Sequence, residues 1–381
     1  MNRPIIVLDG GGLDVPVPRN GQFRYVSDLL RGLADIAPPA RFVFLGGTPE
    51  PQPEFAGVFE ARSRWRYEHF PRTHGRGSMV LDQLRLAIVL WRLKADLCHS
   101  LHTALPVLAP CPVVGTVLDL MFELFPEYAQ AVRSRPYRLF RWAARHQARR
   151  LVCISATTAD DVKRLWRVPS SRIDVIQLGT NFLGHSTAVA VAEVLAHDRV
   201  VLSPYNLEPR KNLAGLLRAF ARCRPACAQL VLYGRAAVTP QREAEFDALV
   251  AELGLAPKVI RVGYVTDAEL RWLYRRASVF VFPSLYEGFG YPVLEAMAAG
   301  ARVVARTASA PAEVVGPAGV LVETADPEQL ASAIDRLLAD SERASVLGRL
   351  AAARAEEYTV SRMAEQTWRV YQKALGRCDQ T

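Results

Sequence analysis

Pro283-Ser-Leu-Tyr-Glu287-Gly-Phe-Gly-Tyr-Pro292-Val-Leu-Glu295-Ala296 is the stretch that decides the fold. The apolar run Val279-Phe-Val-Phe282 leads into it and reads as a buried strand. Pro292 suits the first turn of a helix, where its fixed φ fits and its missing N–H is not needed. Glu287 therefore lies on a glycine-bearing loop and Glu295 on the first turns of the helix that follows. A helix start offers N–H groups and a positive dipole end, which favour a phosphate. Gly288, Phe289 and Gly290 can present backbone N–H groups there, and the two glycines let a ligand come close to the backbone. A carboxylate on each side of such a turn can hold the hydroxyls of a sugar and of a ribose. The stretch reads as a nucleotide-sugar site.

Working outward, strand and helix patterns alternate along both halves of the 381 residues. Short buried strands are expected at 5–8, 42–45, 97–100, 113–118, 151–154 and 174–177, with helices at 22–36, 79–94, 133–149 and 156–166. The alternation restarts at Val200 and runs through strands at 229–233, 258–262, 278–282, 302–305 and 320–322. Helices over 212–223, 240–253, 267–276, 292–299 and 327–339 separate them. Such alternation predicts parallel sheets covered on both faces. A last helix near 360–375 carries Val360, Met363, Ala364, Thr367 and Tyr371 on one stripe, the pattern of core contact. The fold class is α/β, with two doubly wound, Rossmann-like halves that bind ligands at the carboxyl ends of their strands. A coenzyme fingerprint is excluded at the first turn: in Gly10-Gly-Gly-Leu-Asp-Val15 a valine stands where the third glycine belongs.

Half of the residues are hydrophobic, enough for two cores. The N-terminus reads as a strand and not as a secretory signal, and no apolar run reaches the roughly 18 residues of a membrane span. Six scattered cysteines complete no zinc pattern, and reduced thiols in a cytoplasm are expected. The net charge of +9 suits nucleic acid, an anionic membrane surface or anionic substrates. With lysine at only five positions, the arginine excess also fits a simple compositional skew.

The second constellation, Asn206-Leu-Glu-Pro-Arg210-Lys211-Asn212, follows the first strand of the second half. Asn212 fits a helix N-cap, which sets Arg210 and Lys211 beside a helix start. Cations there would stabilise the charge developing on a nucleoside diphosphate leaving group. A solvated proline turn is the alternative.

Glu208-Pro-Arg-Lys-Asn212, then Gly263-Tyr-Val-Thr-Asp267, then Pro283 to Met297 with Gly300, resembles the retaining glycosyltransferase family 4. The spacing of Glu287 and Glu295 is that family's hallmark. The N-terminal half is similar but looser, in Val113 to Leu120, Phe125-Pro-Glu127, Ile154-Ser155 and Val175 to Gly179. The resemblance implies a GT-B fold, two Rossmann-like domains around a cleft. The expected division is residues 1–180 for the acceptor, a linker over 181–198, residues 199–358 for the donor, and 359–381 as a helix returning toward the N-terminal domain. It further implies that Arg210 and Lys211 bind the donor diphosphate and that Glu287 contacts the donor sugar. Glu295 would take the ribose hydroxyls, while Gly288, Phe289 and Gly290 offer backbone N–H groups. No metal or other cofactor is expected. Retention would come from front-face attack with the departing phosphate as base, or from double displacement. The local style is similar to bacterial surface-polysaccharide mannosyl- and rhamnosyltransferases of lipopolysaccharide, O-antigen or exopolysaccharide assembly. The expected donor is GDP-mannose, with a UDP- or dTDP-sugar as the alternative.

Three positions depart from that family's pattern. Gly21-Gln-Phe-Arg-Tyr25 keeps only Gly21 of a phosphate-contacting glycine pair. Leu118-Asp119 stands where relatives often carry His-Asp, which leaves Asp119 as an acceptor-side candidate. Arg302 replaces a common proline. His99 and His102, at a strand end facing the expected cleft, can orient an acceptor hydroxyl or form a plain polar turn.

Residues 129–159 contain no acid, and Arg138, Arg141, Arg145 and Arg149 are spaced for one helical face. This basic helix, with Arg62 to Tyr67 as an extension, fits the surface of an anionic membrane or a solvated outer face. The expected partners are a nucleotide-sugar donor, a glycan or lipid-linked glycan acceptor and an anionic membrane, with no nucleic acid. The expected location is cytoplasmic, peripheral on the inner membrane. Rival readings are an epimerase or phosphorylase on the same architecture, and a basic nucleic-acid-binding protein whose affinity would fall steeply with salt.

Overall fold

In the computed structural model, which describes residues 3–11, 21–60, 63–73, 78–182, 199–224, 228–234 and 239–376, thirteen strands form two wholly parallel sheets. The chain divides into two compact units, one built from residues 1–181 and 358–381 and the other from 182–357. Most of the expected linker, residues 183–198, lies outside the described residues, as do Val15 and Cys227. Among the described residues no helix is long and apolar enough to cross a membrane.

The first unit runs β1 (Ile5–Asp9), α1 (Gly21–Ile36), β2 (Arg41–Gly46), α2 (Pro53–Glu60), β3 (Trp65–His69), α3 (Ser78–Arg92), β4 (Leu97–Ser100), β5 (Val113–Val117), α4 (Met121–Leu124), α5 (Ala129–Arg133), α6 (Arg135–His146), β6 (Ala148–Cys153), α7 (Ala156–Asp161) and β7 (Ile173–Val175). Its sheet has the order β3-β2-β1-β4-β5-β6-β7. A parallel sheet covered on both faces needs continuous apolar strands, and β5 is buried at every residue. The edge is different. β3 buries only Trp65, which stacks on Phe42 at 4.4 Å. Its Trp-Arg-Tyr-Glu-His sequence therefore lacks the apolar run that marks an inner strand; of the expected basic extension from Arg62 to Tyr67, Arg62 lies outside the described residues and Trp65 to Tyr67 belong to this edge strand.

The second unit runs β8 (Arg199–Pro204), α8 (Leu213–Phe220), β9 (Ala228–Tyr233), α9 (Pro240–Glu252), β10 (Val259–Gly263), α10 (Asp267–Arg276), β11 (Val279–Phe282), α11 (Tyr291–Ala298), β12 (Val303–Arg306), α12 (Ala310–Val315), β13 (Val320–Val322), α13 (Pro327–Ala339) and α14 (Ser341–Ala355). Its sheet has the order β10-β9-β8-β11-β12-β13. Its core joins Leu216, Leu217 and Phe220 of α8 to Leu330, Ile334 and Leu337 of α13 over β8, β9 and β11. Two helices escape a reading by apolar periodicity. α12 is only six residues long, and α14 buries Ala344, Gly348, Ala351 and Ala355, a stripe of small residues.

The chain then returns to the first unit as α15 (Val360–Ala374), which packs on α1. The Thr180 N–H donates to the Tyr358 carbonyl at 3.0 Å, joining the outgoing and returning segments. Gly179 makes this possible, because a Cβ there would lie 2.4 Å from the Thr359 carbonyl carbon.

Candidate active site

In the second unit β8 and β11 are neighbours, with Val201 opposite Val279 and Leu202 opposite Phe280. The winding reverses between them: β9 and β10 extend the sheet on one side, β12 and β13 on the other. Ligands bind doubly wound sheets outside the carboxyl ends of the strands at such a switch point. The loops that leave β8 and β11 there carry both sequence constellations.

The loop after β8 is shaped by its own side chains. The Asn206 carboxamide oxygen accepts from the Glu208 N–H at 2.9 Å, and Pro209–Lys211 form one tight 3₁₀ turn. Asn212 occupies the position before α8, but its side chain does not cap the helix. Its backbone is left-handed, at φ 54° and ψ 37°, and its Nδ2 instead donates to the Thr324 carbonyl at 2.8 Å and the Pro283 carbonyl at 3.4 Å. The expected cap is thus a clasp joining the loops after β8, β11 and β13.

The same loops bring Arg210, Lys211 and Glu287 together. Lys211 Nζ lies 2.6 Å from Glu287 Oε1, and Arg210 Nη1 lies 3.3 Å from Oε2. Arg210 Nε also pairs with Glu208 at 2.8 Å, and the Leu285 N–H donates to the Arg210 carbonyl at 2.7 Å. Burial alone would push the Glu287 carboxyl up. Lys211 and Arg210, aided by hydrogen bonds from Lys211 and Ser284, outweigh it and hold the group below the usual glutamate range. Arg306 supports the loop by donating to the Leu285 carbonyl at 2.6 Å and pairing with Glu323. Neither Ser284 nor Arg306 stands out in the sequence, since each acts through a contact with a separate segment or a turn geometry that no periodicity encodes.

Gly290 precedes α11 in a left-handed conformation, φ 109° and ψ 54°. Its φ favours glycine, and a Cβ would sit 3.0 Å from Pro311 Cγ. Phe289 is buried and meets Tyr291 edge-on at 5.7 Å, so only its backbone can serve a ligand. Glu295 is enclosed on α11, with 2% of its surface accessible, and accepts from the Tyr274 hydroxyl at 3.4 Å. Tyr274 in turn lies 2.7 Å from the Tyr233 hydroxyl. This tyrosine pair is a further part of the site that sequence reading misses.

In the first unit the corresponding switch point lies between β1 and β4. Asp9 ends β1, and Arg72 grips it with Nη2 at 2.6 and 2.8 Å from its two oxygens. His102 Nδ1 accepts from the Ala104 N–H at 3.1 Å, which turns Nε2 toward Asp9 Oδ2, 3.4 Å away. Although burial pushes the Asp9 carboxyl up, Arg72 and His102 hold it well below the carboxylate range. Sequence reading found His102 but not Asp9 or Arg72.

Other candidates are placed elsewhere. His99 does not face a ligand: it is fully buried, with Nδ1 2.7 Å from the Tyr371 hydroxyl and Nε2 2.8 Å from Thr116 Oγ1. Burial, with the charge of His102, pushes its pKa down to about 3. A polar side chain on an inner strand must be enclosed by partners, and the sequence alone does not say that α15 supplies one. Asp119 Oδ1 accepts from the Met121 N–H at 3.1 Å, a local turn at the start of α4. Gly21 is the first residue of α1. Arg138, Arg141 and Arg145 line a concavity of about 520 Å³ beside Trp142. Arg149 is not on that helix: α6 ends at His146, and Arg149 belongs to β6. Among the described residues no group of three or more His, Cys, Asp or Glu side chains is close enough to hold a metal ion.

The chain matches two family models, Glycosyltransferase Family 4 over residues 19–182 and Glycosyl transferases group 1 over residues 191–354. It is 30% identical over 273 residues to O-antigen chain mannosyltransferase B of Escherichia coli, a match that covers 68% of this chain and 69% of that one. To the MMP alpha-(1->4)-mannosyltransferase of Mycolicibacterium hassiacum it is 34% identical over 232 residues, 60% of this chain and 54% of that one. Among solved structures, sucrose-phosphate synthase from Thermosynechococcus elongatus superposes with a TM-score of 0.77 at 24% identity, covering 98% of this chain and all of that one. HepE of Anabaena, in complex with UDP and glucose, does so with a TM-score of 0.75 at 20% identity, again over 98% of this chain and all of that one. With its parallel sheets, its paired glutamates and these matches, the chain belongs to the family 4 glycosyltransferases of the GT-B fold.

Proposed function

We propose that the protein is a retaining, metal-independent mannosyltransferase. It moves mannose from GDP-mannose to a sugar hydroxyl of a growing bacterial surface polysaccharide. The observation that carries the reading is the pairing of Lys211 and Arg210 with Glu287 at the β8/β11 switch point, at 2.6 and 3.3 Å. Two fixed cations there supply the charge that leaving-group departure requires, with no divalent ion assigned a part. Mannose is favoured because the two relatives named above at 30% identity or more are mannosyltransferases.

In this mechanism the acceptor hydroxyl oxygen forms a bond to the anomeric carbon on the face from which the phosphate departs. The bond from that carbon to the phosphate oxygen breaks, and the hydroxyl proton passes to the departing phosphate. Lys211 and Arg210 stabilise the negative charge on the diphosphate as it grows, which lowers the barrier more than it tightens substrate binding. Glu287 holds the two cations in place and accepts from a sugar hydroxyl. The N–H groups of Gly288, Phe289 and Gly290 meet phosphate or sugar. Glu295 takes the ribose hydroxyls with its carboxylate oxygens.

The test is a thermal-shift panel with GDP-mannose, UDP-glucose and dTDP-rhamnose, followed by NMR of the product. A donor at about 100 times its Kd stabilises by roughly 2.7 kcal/mol. The expected result is a shift with GDP-mannose and a product whose anomeric configuration matches the donor's. A shift with only UDP- or dTDP-sugars would overturn the donor assignment, and an inverted product would overturn retention.

A further inference from the structure

Helix α3 carries two apolar faces, and the first unit uses only one of them. Leu86 and Leu90 are buried against Val7, Val43 and Phe70. The opposite side presents Val80, Leu81, Leu84, Ile88 and Trp91 to solvent, with Ile88 62% and Trp91 74% exposed. Residues 80, 84, 88 and 91 fall on one arc of the helix at 3.6 residues per turn. A contiguous exposed stripe of this kind, ending in a tryptophan, marks an interaction surface.

The topology places a basic element beside it. From β3 to β4 and from β5 to β6 the chain advances toward the same edge of the sheet. Right-handed crossovers therefore put α3 and α6 on one face, while α1, whose crossover advances the other way, lies on the opposite face. The segment between β4 and β5 bridges the two helices. The Val107 N–H donates to Gln83 Oε1 of α3 at 2.7 Å, and Val107 packs on the core cluster that contains Ala143 and Ala144 of α6. Leu108, on that bridge, is half-exposed. On α6 and the adjoining strand, Arg138, Arg145 and Arg149 are exposed, and residues 129–159 contain no acid.

We infer that this face of the first unit docks on an anionic lipid surface, with the outer stripe of α3 seated at the headgroup–acyl boundary. The arginines of α6 and β6 lie against the negative headgroups. An apolar stripe alone would suit a second copy of the chain equally well. The acid-free basic flank does not, because like charges would then face each other, whereas an anionic bilayer complements both features. Tryptophan suits this depth because it is apolar in body and polar at one edge. The surface adds to the reading of the second unit and does not depend on it, since vesicle binding requires neither donor nor acceptor.

The test is flotation of the full chain with vesicles of phosphatidylcholine containing phosphatidylglycerol, and with phosphatidylcholine alone, at low and high salt. The expected result is binding to the anionic vesicles that weakens with salt. The pair Ile88→Ser and Trp91→Ala should lower partitioning by about tenfold or more by removing buried apolar surface. Arg138→Ala and Arg145→Ala should each lower it about fivefold. All four residues are exposed, so the variants should melt with the wild type. Absence of binding to anionic vesicles would overturn the inference, as would stripe variants that bind like the wild type. So would a dimer in solution that the stripe variants dissociate while vesicle binding is unchanged.

Discussion

Glu287 is a half-buried carboxylate that stays charged because two cations face it. Its folded pKa is depressed, so its contribution to stability is complete above the ordinary glutamate pKa. That contribution is lost as the pH falls below it toward the lower folded value. Glu287→Gln keeps the shape and removes the charge. We expect it to lower kcat for nucleotide release by about 10²- to 10³-fold, the scale of one well-placed polar contact to a transition state. Circular dichroism should stay native, and the loss of stability in acid should be shallower than in the wild type. Transfer at the wild-type rate would remove Glu287 from the machinery. His99 titrates with the opposite consequence for its own charge. Burial holds the ring neutral down to about pH 3, whereas an unfolded histidine protonates near 6.5. Between those values the unfolded chain binds a proton that the folded chain does not. Stability therefore drops as the pH is lowered through that window, by up to about 1.4 kcal/mol per pH unit. His99→Gln should flatten that slope in denaturant titrations from pH 7 to 4, and equal slopes would refute the assignment.

At the scale of elements, α15 is held to the first unit by shape and by polar contacts, among them the Lys373–Asp174 ion pair and a buried network. Its Tyr371 hydroxyl meets His99, and Thr116 links His99 to the Tyr25 hydroxyl of α1 at 2.8 Å. Where α15 crosses α1, a Cβ on Gly32 would lie 2.8 Å from Val360 Cγ1 and 2.9 Å from the Val360 carbonyl oxygen and Ala364 Cβ. Gly32→Ala would gain about 1 kcal/mol of helix propensity. Overpacking two helices in contact costs about 1–3 kcal/mol, so the substitution should lower the Tm. A raised Tm would show that α15 yields without cost. Arg302, at the position where relatives commonly carry proline, has a structural task of this kind. It donates to the Ala277 carbonyl at 3.2 Å and the Ala344 carbonyl at 3.3 Å, tying the end of α10 to α14. No proline could donate those bonds.

At the scale of the whole molecule, two units with separate cores bring different chemistry to their switch points: Arg210, Lys211 and Glu287 in one, Asp9, Arg72 and His102 in the other. Hydrogen exchange with and without GDP-mannose should show new protection over 205–212 and 283–295. Residues 97–104 should be unchanged in the absence of an acceptor. Protection confined to the first unit would move the donor site. The sequence by itself determined the parallel α/β architecture and the residues of the second unit's loops. Apolar runs, proline at a helix start and glycine at a left-handed turn act over a few neighbouring positions, and such signals survive in a linear string. The tertiary structure alone decided what depends on distant partners. It showed that Asn212 clasps three loops instead of capping α8, that His99 is sealed beneath Tyr371, and that Arg72 grips Asp9 from 63 residues away. It also decided which apolar face of α3 meets the core. Periodicity marks a face as apolar, but only packing determines whether the chain itself covers it.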